Sequence, residues 1–282
     1  MTQKIIIHGG FFSEALTNQE VKYDKQKALS GIAEKAYNYL KTHTALQTSV
    51  YAVTLLEDCD LFNAGIGSQI QADGKIRLSA GLMDGASGKF SGVINIEDVR
   101  NPIRIAEKLL AYDDRVLSGT GALEFARQNG FEYFNPETPQ RRQEYEKKLN
   151  ASIGLGTVGC VALDKDGNLA AATSTGGKGF EIPGRVSDSA TAAGNYANKF
   201  AGISCTGVGE DIMSAGLAVK IVTRVSDGLS LEAASERSIE ELKLFDGFAG
   251  IIGLSAKGEI YHCDSHPYMV WASYDAGLSV FS

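Results

Sequence analysis

The stretch Gly156-Thr157-Val158-Gly159-Cys160-Val161-Ala162-Leu163 decides how this chain is read. A polar, charged run precedes it, and after it the chain stays apolar and small through Thr173-Ser174-Thr175-Gly176-Gly177. Apolar runs without polar alternation predict strands covered on both faces. Asp164-Lys165-Asp166-Gly167-Asn168 separates residues 158–163 from a second such run at 169–172, which predicts a hairpin. The seam at its start also has chemical content. A threonine hydroxyl is a weak nucleophile at neutral pH and needs a base within hydrogen-bond reach. An α-amino group titrates at about 7.7–8.0, so a chain beginning at Thr157 carries its own base. Gly156 has no side chain and tolerates the strained backbone that lets the Thr157 hydroxyl reach its carbonyl. Gly-Thr also starts many ordinary strands, and on the dipeptide alone that ordinary reading prevails; the surrounding residues change the balance.

The 282 residues are 44% hydrophobic and 22% charged, the balance of a soluble globular protein. A net charge of −7 argues against nucleic acid or an anionic membrane as the main partner. No apolar run is long enough to span a bilayer, and the N-terminus shows no secretory cleavage pattern, so a cytoplasmic protein is expected. Cys59, Cys160, Cys205 and Cys263 are widely spaced and read as reduced core thiols.

A strand is expected at 4–7, ending at Gly9-Gly10. Residues 24–41 place Leu29, Ile32, Ala33, Ala36 and Leu40 on one helical face, and a second helix covers about 44–57. Strands are predicted around 69–71, 76–78 and 92–96, with Asp73-Gly74 as a hairpin turn. Pro102 opens a helix reaching Ala111, and 121–128 forms another. Residues 136–155 crowd Pro136, Pro139, Arg141, Arg142, Glu144, Glu146, Lys147 and Lys148. They read as a linker, or over 141–150 as a solvated helix; either way they lie on the surface just before Thr157. Downstream, 200–205 is a strand and 210–225 one helix with Ile212, Ala215, Val219 and Val222 in a stripe. Ser230 caps a helix to about Leu242, and strands at 251–254, 259–262 and the tail close the chain. This order predicts an α/β fold with two packed sheets between helical layers.

Taken together, Ile5-Ile6-Ile7-His8-Gly9-Gly10, Gly156-Thr157-Val158-Gly159, Thr173-Ser174-Thr175-Gly176-Gly177 and Pro183-Gly184-Arg185-Val186-Ser187-Asp188-Ser189 resemble the plant-type asparaginase and isoaspartyl peptidase family of N-terminal-nucleophile hydrolases. The likeness runs to about Gly253. It implies a four-layer αββα sandwich and self-cleavage between Gly156 and Thr157. The pieces 1–156 and 157–282 then form a single domain together. It implies an amidohydrolase that cleaves the side-chain amide of L-asparagine and β-aspartyl dipeptides through a covalent threonyl ester, with no cofactor for catalysis. Thr157 is then the nucleophile, Thr175 tunes it, and the Thr206 hydroxyl with the Gly207 amide forms the oxyanion hole. Asn63 helps hold the catalytic region. Arg185 takes the substrate α-carboxylate, which suits a guanidinium fork, and Asp188 the α-ammonium. Gly207, Gly209 and Gly10 line the pocket. A structural sodium ion is implied on the carbonyls of Leu56, Glu57, Cys59, Phe62, Ala64 and Ile66, and a dimer of αβ units.

The chain departs from that pattern at Phe11 and Phe12, where small residues are usual, at Ser187, where glycine is usual, and at Ala190, where proline is usual. Pocket shape and substrate range stay open there. A glycosylasparaginase-like or taspase-like hydrolase and a non-cleaving aspartate binder are the other readings. Three further motifs carry less. His262-Cys263-Asp264-Ser265-His266 lacks a second ligand pair for zinc. Gly119-Thr120-Gly121 lacks the third glycine of a dinucleotide loop. Asn150-Ala151-Ser152 is a glycosylation acceptor that a cytoplasmic chain would not use.

Overall fold

A computed structural model describes residues 2–11, 18–147, 156–245, 247–266 and 268–281. Phe12 and residues 148–155, which include the Asn150-Ala151-Ser152 acceptor and the end of the 136–155 stretch, lie outside the described residues.

The chain order is β1 (Lys4–Phe11), α1 (Gln19–Leu40), α2 (Ala45–Glu57), β2 (Leu78–Asp84), β3 (Lys89–Ile96), α3 (Pro102–Leu109), β4 (Val116–Ser118), α4 (Gly119–Gln128) and α5 (Pro139–Glu146). It continues with β5 (Thr157–Leu163), β6 (Leu169–Thr175), β7 (Asn195–Ala197), β8 (Ala201–Gly207), α6 (Gly209–Ala215), α7 (Leu217–Ser226), α8 (Leu231–Glu240), β9 (Ala249–Ser255), β10 (Ile260–Asp264), β11 (Met269–Tyr274) and β12 (Leu278–Val280). Among the described residues, one sheet runs β12-β11-β1-β5-β6-β2-β3-β4 and a second runs β10-β9-β8-β7.

Side-chain alternation builds the layers, because neighbouring residues on a strand face opposite sides. On β1, Ile5 and Ile7 join the helix-side core with Leu29, Ala33 and Ala36 of α1, and Ile6 joins the core between the sheets. On β5, Val158, Cys160 and Ala162 face the helices, and Val161 and Leu163 face the second sheet. On β8, Ala201, Ile203 and Cys205 face α7 and α8, packing with Ile221, Val222 and Leu231. The result is helices, sheet, sheet and helices: a four-layer αββα sandwich, as expected. The same parity sends Thr157 and Gly159 of β5, Thr173 and Thr175 of β6, and Ser204 and Thr206 of β8 into the space between the sheets. Polar side chains therefore collect where the inner faces run out at the strand ends.

Several sequence expectations need correction. Residues 69–71 and 76–78 form no ladder before Leu78. Asp73-Gly74 does make a turn, closed by Gly74 N–H to Gln71 O at 2.9 Å and Gln71 N–H to Lys75 O at 2.8 Å. Ala72 N–H instead reaches Glu181 O at 3.0 Å, and Arg77 grips Asp73 at 2.8 Å, so the backbone is spent on tethers rather than a sheet. The single helix expected over 210–225 is two. Gly216 adopts φ 58 and ψ 43, a left-handed C-cap that few other residues tolerate. The redirected α7 buries Leu217, Ala218, Ile221 and Val222, leaving Val219 half-buried. The short strands β4 and β7, at the edges of their sheets, were not foreseen. Ser230 caps α8, as expected, and Thr44 caps α2 with Gln47 in a reciprocal capping box that the sequence reading did not name.

Candidate active site

The hairpin β5–β6 sets the centre. Thr157 pairs in register with Thr175, and the Thr157 hydroxyl donates to Thr175 Oγ1 at 3.3 Å, with both residues buried. Thr175 Oγ1 also accepts the Gly177 N–H at 3.2 Å, so this hydroxyl is held from two sides. Gly10 lies against the junction in a left-handed conformation, φ 85. A Cβ there would sit 2.5 Å from Gly156 Cα and 2.9 Å from Thr157 N, so only glycine lets β1 approach this closely. On the other side, a Cβ on Gly156 would come to 3.0 Å from Asn63 Cβ. Asn63 ties that side together. Its Nδ2 donates to Gly177 O at 2.5 Å, its Oδ1 accepts Gln69 N–H at 2.9 Å, and its carbonyl accepts Gly176 N–H at 3.0 Å.

A cavity of about 470 Å³ opens over the threonine pair, bounded also by Phe180, Arg185, Asp188, Gly207, Gly209, Glu210 and Phe248. Arg185 and Asp188 are brought together here, as the sequence reading required. A Cβ on Gly209 would lie 2.7 Å from both Arg185 Nη2 and Asp188 Oδ1, so Gly209 makes room for the pair. Burial pushes the Asp188 carboxyl up to about 6, opposed by a hydrogen bond from Ser187 and the nearby Arg185 charge. Ser187 Oγ donates to Asp188 Oδ1 at 3.1 Å, and Asp188 Oδ2 has no partner among the described residues. Ser187 thus supplies a bond that a glycine would not. Ala190 is buried, with its Cα placed 3.1 Å from where a Cβ on Gly81 would stand.

Glu210 was missed by sequence reasoning. It clasps the Arg185 fork, Nε to Oε1 at 2.7 Å and Nη2 to Oε2 at 3.0 Å, and Lys178 reaches the same carboxylate at 3.4 Å. The Arg185 hydrogen bonds hold Glu210 down at about 2. An acid following a glycine has no sequence signal for this; the fold has to bring the two segments together. His8 was quoted only as part of a motif. It lies one residue row below the threonine pair, with Nε2 2.9 Å from Ser204 Oγ, which is 2.7 Å from Thr173 Oγ1. Burial pushes His8 down to about 3, so it is a neutral imidazole.

Thr206 is buried and its hydroxyl has no hydrogen-bond partner among the described residues. It does not cap α6; the N-cap is Val208, without a side-chain bond. Gly207 has φ 138, and a Cβ there would run into the Phe248 carbonyl. Phe11 stays out of the cavity lining. It packs edge-on against Phe248, centroids 5.1 Å apart, and so backs a residue that does line it.

The loop after α2 turns sharply. Ile66 N–H bonds Glu57 O at 2.8 Å, Cys59 N–H bonds Leu56 O at 3.2 Å, and Phe62 N–H bonds Cys59 O at 3.3 Å. A Cβ on left-handed Gly67 would fall 2.5 Å from Asp60 O and 2.9 Å from Phe62 O. The carbonyls of Phe62, Ala64 and Ile66 accept no backbone N–H among the described residues. No three His, Cys, Asp or Glu side chains converge as metal ligands among the described residues. His262 of the zinc-like motif instead stacks on Trp271, centroids 3.9 Å apart.

A family model described as Asparaginase matches residues 1–279. The chain belongs to the asparaginase family. An isoaspartyl peptidase/L-asparaginase of Synechocystis sp. is 42% identical, covering 99% of this chain and 90% of that protein. An isoaspartyl peptidase of Escherichia coli is 38% identical over 91% of this chain and 88% of its own length. A plant-type L-asparaginase of Pyrococcus abyssi is 35% identical over 98% and 97%. Among the described residues of this asparaginase family member, no helix is long and apolar enough to cross a membrane.

Proposed function

We propose that this asparaginase family member cuts itself between Gly156 and Thr157 and then hydrolyses L-asparagine and β-aspartyl dipeptides. In the first reaction the Thr157 hydroxyl attacks the Gly156 carbonyl carbon. The peptide C–N bond breaks, leaving an ester and a free Thr157 amine, and water opens the ester. The cut divides the chain into 1–156 and 157–282, which stay together as one domain. Support comes from the large sheet, which interleaves β1–β4 with β5, β6, β11 and β12.

In turnover the Thr157 amine takes the hydroxyl proton as Oγ bonds the side-chain amide carbon of the substrate. The Thr206 hydroxyl and Gly207 amide stabilise the oxyanion. The proton passes to the leaving ammonia or amine, and water hydrolyses the aspartyl ester. Arg185 holds the α-carboxylate and Asp188 the α-ammonium; at neutral pH a carboxyl titrating at about 6 is ionised. The Thr206 hydroxyl, without a partner among the described residues, suits a donor kept for a charge that forms only during reaction. The observation that carries the reading is one cavity holding the Thr157–Thr175 hydroxyl pair beside Arg185 and Asp188.

Leu56, Glu57, Cys59, Phe62, Ala64 and Ile66 would hold a sodium ion through their carbonyls. Hard oxygen donors suit a hard cation, and the carbonyls of Phe62, Ala64 and Ile66, which accept no backbone N–H among the described residues, support the fit. Such an ion would brace the loop carrying Asn63 and take no part in the chemistry. We also assign a dimer of αβ units, checked by light scattering, and a cytoplasmic location, checked by cell fractionation. Assays with asparagine, β-aspartyl-leucine and a glycosylated asparagine, run side by side, test the activity. Turnover of the first two and loss of both in Thr157→Ala is expected. Turnover of the glycosylated substrate alone would reassign the protein, and binding of aspartate without any turnover would make it a binder.

A further inference from the structure

Helix α5 has no fully buried residue, and an isolated helix of this length does not hold together in water. Its contacts must therefore hold it. Arg141 Nε donates to Gly67 O at 2.8 Å, Arg142 Nη2 to Gly74 O at 3.3 Å, and Tyr145 Oη to Ala72 O at 3.2 Å. Tyr145 also packs against the helix-side core, and one further contact reaches the cavity. The Tyr145 ring stacks on Phe180, centroids 5.1 Å apart and planes 10° from parallel. Phe180 lines the cavity and has φ 54, a conformation that a residue with a side chain keeps only when its surroundings impose it.

We propose that Tyr145 is a positioning residue for the substrate cavity, acting through the ring of Phe180. Helix α5, upstream of the Gly156–Thr157 junction, then stays docked after the cut and goes on shaping the cavity wall. This rests on the functional reading above for what the cavity binds. The nucleophile pair is held separately, by Gly177 N–H on Thr175 and Asn63 on Gly177 O. Loosening Phe180 is therefore felt in substrate binding more than in the chemical step.

The test compares Tyr145→Ala and Tyr145→Phe. Asparagine kinetics are measured alongside fluorine NMR of protein labelled with 4-fluorophenylalanine, the Phe180 signal being assigned with Phe180→Leu. Tyr145→Ala is expected to raise KM ~2–10-fold, the range an aromatic pair carries, with kcat nearly unchanged. The Phe180 resonance moves in Tyr145→Ala, and Tyr145→Phe keeps both the KM and the resonance of the parent. An unchanged KM or an unmoved Phe180 signal in Tyr145→Ala overturns the proposal. So does an equal loss in Tyr145→Phe, which would place the effect in the bond to Ala72. Should the parent protein hydrolyse neither asparagine nor β-aspartyl-leucine, the functional reading falls. The fluorine shift alone then upholds or overturns the positioning by Tyr145.

Discussion

Gly10→Ala probes how closely β1 is pressed against the junction. The new methyl group would lie 2.5 Å from Gly156 Cα, 2.9 Å from Thr157 N and 3.0 Å from Gly156 C, all backbone atoms with little room to give. The residue would also keep φ 85, on the left-handed side. The left-handed conformation costs a residue with a side chain about 1–2 kcal/mol. Overpacking a filled site adds about 1–3 kcal/mol. Together they come to roughly 2–5 kcal/mol, which at about 2–4 °C per kcal/mol lowers Tm by some 4–20 °C. If the junction yields instead, the Thr157 hydroxyl is displaced from the Gly156 carbonyl, and a shift of about 1 Å slows such a reaction ~10²-fold. A time course on denaturing gels reads the cleavage, and thermal unfolding of the same samples reads the stability. Gly31→Ala is the control: its Cβ meets nothing within 4 Å inside α1, and it is expected to stabilise by about 1 kcal/mol. Gly10→Ala with parental Tm and parental cleavage rate would refute the packing of β1 on the junction.

Three other substitutions separate stability from function. Thr206→Val removes a buried hydroxyl that has no hydrogen-bond partner among the described residues, so Tm should hold or rise. Turnover should fall ~10²–10³-fold if that hydroxyl serves the oxyanion, as kcat will report. Asp188→Asn tests a buried carboxylate. Its folded value of about 6 lies above the ordinary 3.8, so the folded chain holds the proton more tightly than the unfolded chain does. The group's contribution is therefore full below about pH 4, declines as pH rises to about 6, and stays reduced above, by roughly 3 kcal/mol. Denaturant titrations should find the Asn variant more stable than the parent at neutral pH, with the difference vanishing in acid, while KM for asparagine rises ~10–100-fold. Glu210→Gln weakens the clasp on Arg185. Because Glu210 is half-exposed, the loss is discounted to about 1 kcal/mol, and KM should rise ~5-fold with kcat kept.

Much of the scaffold was legible because it rests on local rules. The turn at Asp164-Lys165-Asp166-Gly167-Asn168 fixes the register that sets Thr157 opposite Thr175. The stripe of Leu29, Ala33, Ala36 and Leu40 marks the buried face of α1. Errors fell where a local pattern had a tertiary competitor. The apolar spacing of Ile212, Ala215 and Val219 continues through Gly216, but Ala218 N–H is bonded to Ala193 O at 2.7 Å and Val219 N–H to Ala192 O at 3.1 Å, which reorients α7. The polar tethers of 71–77 likewise outcompeted strand pairing. At the site, family likeness supplied Arg185, Asp188, Thr206 and Asn63. Glu210, Phe248 and Tyr145 came only from packing, as did the contact of His8 with Ser204, since each meets its partner through segments far apart in sequence.

The central claim is that the Gly156–Thr157 bond is cut to make Thr157 an N-terminal nucleophile. Intact mass and N-terminal sequencing of purified protein after prolonged incubation test it most directly. Two pieces that co-purify under native conditions are expected, the second beginning Thr157-Val158-Gly159. A single full-length species, or a cut at any other bond accompanied by asparagine hydrolysis, would contradict it.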